Sequence, residues 1–98
     1  MNLVWSELSL GDRRAIYSYI EAGDPRAAVA VDERIEAAVR QLLEFPECGR
    51  PGRVSDTREL VVTRTAYVIP YRVAGDNIRI LRVLHGARAW PEALPDES

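Results

Sequence analysis

Residues 49–60 read GRPGRVSDTREL and residues 66–91 read AYVIPYRVAGDNIRILRVLHGARAWP. Together they decide the fold. Arg58–Thr63, Tyr67–Val73 and Asn77–Leu84 are rich in Val, Ile, Leu and Tyr and alternate with a period near two, which predicts three strands. Ala74-Gly75-Asp76-Asn77 supplies the hairpin turn between the last two. Tyr67, Ile69, Tyr71 and Val73 share one face of the middle strand. In the last run Ile78, Ile80 and Leu84 alternate with Leu81 and Val83, so both faces are apolar, as in a strand covered on both sides. Helices can cover one face; a carboxy-terminal segment or a partner chain must shield the other. Pro70 has no N–H for a ladder bond, so its strand should face outward there or carry a bulge.

Upstream the period becomes helical. Asn2–Trp5 (NLVW) is a short apolar run expected as a strand. Ser6 or Ser9 can cap a first helix running to about Ala22, with Ile16, Tyr19 and Ile20 on its buried stripe. Gly23 breaks it and Asp24-Pro25 restarts it, because Asp accepts from free first-turn amides and Pro is tolerated at the first helical position. Ala28, Val31, Ile35, Ala38, Val39 and Leu42 recur in steps of three and four, which predicts a second amphipathic helix ending at Pro46. So short a loop makes the helices an antiparallel hairpin. The expected fold is α+β: an amino-terminal strand and a helical hairpin packed on a mainly antiparallel four-stranded sheet, one domain over 1–98, with 91–98 as a flexible acidic tail.

Composition excludes several classes. A chain of 98 residues that is 47% hydrophobic and 29% charged has ordinary globular make-up rather than that of a disordered segment. No apolar run approaches a membrane span, and the amino terminus lacks a basic-then-apolar leader, so a cytoplasmic protein is expected. A single cysteine, Cys48, rules out an internal disulfide, and one His with one Cys leaves no set of soft metal ligands. No metal or cofactor is expected. All thirteen basic residues are arginine, a bias that a GC-rich genome explains in part and that also suits bidentate recognition of carboxylate or phosphate. Eight of them (Arg50, Arg53, Arg58, Arg64, Arg72, Arg79, Arg82, Arg88) lie in residues 49–91 beside three acids, a local charge of +5 in a chain of net charge −2. Such sorting points to a basic face meeting an acidic partner.

Taken in order, YSYIEAGDPRAA (17–28), PECGRPGRVSDTREL (46–60), YVIPYRV (67–73) and ILRVLHGARAWP (80–91) resemble the RelE/ParE superfamily of bacterial type II toxins, over nearly the whole chain. The likeness is closer to the ParE branch, whose members poison DNA gyrase, than to the ribosome-dependent mRNA endonucleases. Those relatives carry basic catalytic residues at places corresponding to Val68 and Gly86, or end in a His followed by an aromatic, where this chain has His85-Gly86. Two positions depart from the ParE-like pattern: Arg13, where an apolar helix residue is usual, and Ala89, where a polar or acidic one is common. The resemblance implies a toxin neutralised by a ParD-like antitoxin and aimed at gyrase, with no sequence-specific nucleic-acid binding of its own. Two alternatives stand beside it. One is a ribosome-dependent endonuclease using Arg64, Arg72, Arg82 and His85; the other is a non-toxic, antitoxin-binding member.

The candidate target- or antitoxin-binding residues are Arg50, Arg53, Arg58, Arg72, Arg82, His85, Arg88 and Trp90. His85 is the one candidate general base, although a lone His at a strand end is more often structural. Arg82 and Arg88 can bind phosphate or carboxylate, or can be solvated strand-end residues. Residues 49–53 have two glycines but no helix directly following, which favours a shaped turn over a phosphate cradle. Cys48 has no partner motif that would make it a nucleophile. Tyr67 and Tyr71 are expected in sheet packing rather than base stacking, and Trp5 and Trp90 as anchors of the two ends. Glu7, Asp12, Asp32, Glu33 and Glu36 are expected on solvated helix faces.

Overall fold

A computed structural model of the chain describes residues 1–95. Its order is β1 (Asn2–Trp5), α1 (Glu7–Glu21), α2 (Pro25–Gln41), β2 (Arg50–Pro51), β3 (Arg58–Val61), β4 (Tyr67–Ala74), β5 (Asn77–Ile80) and β6 (Leu84–His85). The strands form one sheet in the order β1-β5-β4-β3-β2, with β6 on β4. The four expected strands are there, joined by two-residue β2 and β6. The sheet is mixed, because β1 runs parallel to β5 while the other pairs are antiparallel. The parallel pair follows from the connectivity: the helical hairpin separates β1 from the rest and brings it back on the far side of β5.

Local chemistry sets the helix ends. Ser6 caps α1, its Oγ accepting from Ser9 N–H at 3.0 Å and donating to Leu81 carbonyl at 2.8 Å, which also ties the cap to the sheet. Asp24 caps α2 by accepting from Ala27 N–H at 3.2 Å, with Pro25 in the first turn. Helix α2 stops at Gln41 rather than at Pro46. Leu42, Leu43 and Glu44 donate to carbonyls three residues back, a tightening that ends the regular ladder. The loop beyond is held from the sheet: Tyr71 Oη donates to Pro46 carbonyl at 2.8 Å and accepts from Gly49 N–H at 2.9 Å. A Cβ on Gly49 would stand 2.6 Å from the Tyr71 ring, so glycine is required for this close approach.

The core lies between α2 and one face of the sheet. Ile35, Val39 and Leu42 meet Leu60, Val62, Ile69, Tyr71, Ile78, Ile80 and Val83, each burying a side chain worth about 1.5–3 kcal/mol if aliphatic. The predicted α2 stripe is therefore the buried one. Helix α1 differs: Ile16 packs on the core from its edge, Ser9 is its only fully buried residue, and Tyr19 is 75% exposed rather than buried.

Asn77–Leu84 is not one strand. Tyr71 pairs with Ile80 and Tyr67 with His85, so four steps along β4 match five along its partner. The extra residue makes a bulge at 81–83 opposite Pro70, whose carbonyl accepts from Leu81 N–H at 3.0 Å. The side on which proline has no donor is the bulged side. Val68, Pro70 and Leu81 are buried on the other sheet face. The chain's own carboxy-terminal segment reaches that face through Trp90. Within the expected tail 91–98, Leu94 is 6% exposed, and 96–98 lie outside the described residues.

Candidate functional site

An open groove of about 370 Å³ runs between α1 and the end of the last strand. Asp12, Ala15, Ile16 and Tyr19 form its helical wall; Tyr67, Val83, Leu84 and His85 form the sheet wall; Arg88 and Ala89 stand at its mouth. The bulge builds it by turning Val83 and His85 toward α1. The His85 ring meets Tyr67 edge-on, with centroids 5.9 Å apart and planes at 81°.

His85 Nδ1 accepts from Ala87 N–H at 3.2 Å, which places the imidazole proton on Nε2. The ring can donate into the groove, but its free lone pair is already engaged. His85 carbonyl accepts from Arg88 N–H at 3.2 Å and Trp90 Nε1–H at 3.1 Å, closing a turn whose Gly86 N–H reaches Ala66 carbonyl at 2.8 Å. A Cβ on Gly86 would lie 3.1 Å from Val68 Cγ2.

The structure separates Arg82 from Arg88. Arg82 donates from Nε and Nη2 to the Asp12 carboxylate at 2.7 and 2.9 Å, and Val83 N–H joins at 2.9 Å. Hydrogen bonding to Asp12 outweighs desolvation and raises the Arg82 pKa, so this link between α1 and the bulge keeps its charge. Arg88 is exposed, and among the described residues its guanidinium has no ion-pair partner. Asp12 was expected on a solvated helix face; its side chain is 17% exposed because the bulge packs over it. Asp32 and Glu36 are likewise engaged, by Arg13 at 3.0 and 2.9 Å. Arg13 also lies 4.7 Å from the Trp5 ring. The unusual helix arginine thus clamps α1, α2 and β1 together.

The other candidates sit elsewhere. Arg50 and Arg53 converge on Glu59, whose side chain is 3% exposed. Arg53 lies 3.6 Å over the Trp90 ring. Arg58 donates to the carbonyls of Glu47 and Gly49 at 3.1 and 2.9 Å. Arg72 has an interaction partner and lines a second groove with Arg58, while Arg64 lines a third beside α2. The eight arginines therefore do not make one basic face, because most neutralise or brace the chain itself. The sequence alone put Tyr19 on a buried stripe and Asp12 on a solvated face, and gave Glu59 no role beyond its charge. An aromatic at the edge of a helical stripe and one acid among clustered arginines were the available signals.

The family described as ParE toxin of type II toxin–antitoxin system, parDE, matches residues 3–90. The chain belongs to the ParE toxin family. It is 41% identical to Toxin RelE2 of Caulobacter vibrioides over 86 residues, 88% of this chain and 96% of that protein. A Sinorhizobium fredii relative, Y4kP, is 46% identical over 90 residues, 92% and 93% of the two chains. Among solved structures, a chain of the chromosomal ParDE TA system from P. aeruginosa superimposes with a TM-score of 0.78 at 31% identity, covering 85% of this chain and 92% of that one.

Glu59 also gives this ParE-family chain an acid-sensitive point. Burial by itself would raise its pKa. Hydrogen bonds from the Arg53 side chain and backbone and from Arg50 outweigh burial and hold it below the ordinary 4.5. A carboxyl whose folded pKa is depressed contributes stability that is fully present above its unfolded value and is lost as pH falls through the folded one. Unfolding free energy should therefore decline below pH of about 4.5, and Glu59→Gln should remove that part of the decline. Superimposable acid profiles for the two proteins would show that Glu59 is not the group responsible.

Proposed function

We propose that this chain is the toxin of a toxin–antitoxin pair, held silent by a ParD-like antitoxin, and that it acts by binding DNA gyrase rather than by cutting mRNA. The observation that carries the choice is how the cations near the groove are spent. A nuclease needs several cationic groups converging on a phosphate, plus a proton carrier with a free lone pair. Arg82 is committed to Asp12, His85 Nδ1 is occupied, and Arg64 and Arg72 face other grooves. Val68 is 6% exposed and a Cβ on Gly86 would stand 3.1 Å from its Cγ2, so the two places where the ribosome-dependent relatives are basic hold an apolar, tightly packed pair. What remains, Arg88 beside an apolar groove with Tyr19 and Ile16, suits recognition of an acidic, partly apolar surface. The exposed apolar residues of the hairpin, Leu8, Leu10 and Tyr19, favour an amphipathic antitoxin segment as the neutralising partner.

The test uses purified protein in two assays, gyrase supercoiling and ribosome-dependent mRNA cleavage. Inhibition of supercoiling with intact mRNA is expected. His85→Ala should weaken growth inhibition by no more than about tenfold, the equivalent of 1.4 kcal/mol of binding. Codon-specific mRNA cleavage that vanishes in His85→Ala, with gyrase unaffected, would replace this reading with the nuclease.

A further inference from the structure

We infer that Glu59 is a positioning residue for the groove: its buried carboxylate aligns Arg53 on the Trp90 ring and so fixes the turn from which Arg88 projects. Glu59 lies on the sheet face away from the helices, paired with Pro70. It accepts from Arg50 Nε and Nη2 at 3.2 and 3.0 Å, from Arg53 N–H at 2.8 Å, and from Arg53 Nε and Nη2 at 3.0 and 3.2 Å. A buried charge is a poor way to stabilise a sheet, since a well-packed apolar residue commonly does as well or better. What an apolar residue cannot do is fix the plane of a guanidinium. Two of the Arg53 guanidinium nitrogens are held on the carboxylate, and the guanidinium lies 3.6 Å over the Trp90 ring, whose face attracts a cation.

The contact chain continues to the groove. Trp90 Nε1–H donates to His85 carbonyl at 3.1 Å, and the same carbonyl receives Arg88 N–H at 3.2 Å. Glu59, Arg53, Trp90 and the 85–88 turn are thus joined by direct contacts from the middle of the sheet to the mouth of the groove. The glycine/arginine turn serves as a brace for the recognition edge. This inference rests on the proposed reading only in taking the groove as the inhibitory surface.

The test is made on the full chain with Trp5→Phe, which leaves Trp90 as the sole tryptophan. In Glu59→Gln and Arg53→Lys, Trp90 emission should shift to the red and its quenching by acrylamide should rise. Without the Trp5 change, both variants should weaken growth arrest by about tenfold, a loss equivalent to 1.4 kcal/mol, with wild-type circular dichroism at the assay temperature. The double variant should be no weaker than the poorer single one, because both cut the same chain of contacts. A residue that only added stability would leave the potency of the folded protein unchanged. If Glu59→Gln fails to fold, Arg53→Lys carries the emission readout, and Arg53→Lys with Trp90→Phe, which keeps an aromatic face and loses the N–H, carries the potency readout. Unchanged Trp90 emission, unchanged potency or additive losses would overturn the inference. The emission readout needs no target, and growth arrest needs no named one. Weakened arrest in variants of a wild type that leaves gyrase untouched would sink the gyrase reading and support this one. Gyrase inhibition equal in all variants would do the reverse.

Discussion

Asp12→Ala should lower the unfolding free energy by about 2–4 kcal/mol, the largest loss expected from any single polar side chain here. Asp12 joins the middle of α1 to the bulge by three hydrogen bonds, two from Arg82 and one from Val83 N–H. Removing the carboxylate leaves a guanidinium and a backbone N–H without partners in a region where the side chains are only 17–23% exposed. The cost of an abandoned buried charge is about 3–5 kcal/mol, and residual solvent contact brings the expectation below that limit. Arg82→Ala should cost a similar amount, and the double variant less than their sum, since both remove one interaction. Arg82→Glu sets two carboxylates face to face and should unfold the edge of the sheet. Urea denaturation of the four proteins checks this. A loss under about 1 kcal/mol for Asp12→Ala, typical of a surface ion pair, would mean that water replaces the carboxylate without cost.

That pair also marks the limit of what the sequence discloses. Helix α2 was legible because Ile35, Val39 and Leu42 fall at helical spacing and Asp24-Pro25 announces its start; both signals are local. The same holds for the turn at 74–77 and for Pro70, which asks for a bulge without saying where the extra residue lies. Charge pairing is not local. Arg82 and Asp12 are 70 residues apart, and Arg82 and Arg88 look alike until the fold gives one a carboxylate and leaves the other in solvent. A count of +5 over residues 49–91 therefore overstated the basic surface, because Asp12 of α1, outside the segment, consumes Arg82, and Arg58 is spent on backbone carbonyls. Tyr19 was misplaced for a related reason. Helical periodicity shows which residues share a stripe, but how wide a stripe the sheet covers depends on the neighbours, and α1 is covered only along one edge. The groove's position followed from that incomplete cover, so its walls became visible only with the fold.

Arg88→Glu should produce the largest functional loss, a drop of about 30-fold or more in growth inhibition and in gyrase inhibition. The side chain is exposed, and its backbone bond to His85 carbonyl is one that any residue can make. Stability should therefore change by no more than about 0.5 kcal/mol, as for other surface substitutions. Binding is a different matter. A guanidinium at the mouth of an apolar groove meets its partner with little water between them, and losing such a charge-assisted contact costs about 2 kcal/mol or more, which is the 30-fold figure. Reversal to glutamate adds repulsion against an acidic surface. Arg64→Glu separates contact from general charge, because it makes the same change of net charge beside α2, in another groove. Its effect should stay within a few-fold and fade with added salt. Equal losses from Arg88→Glu and Arg64→Glu would show that long-range attraction governs inhibition. A fully toxic Arg88→Glu protein would remove the groove mouth from the contact surface altogether.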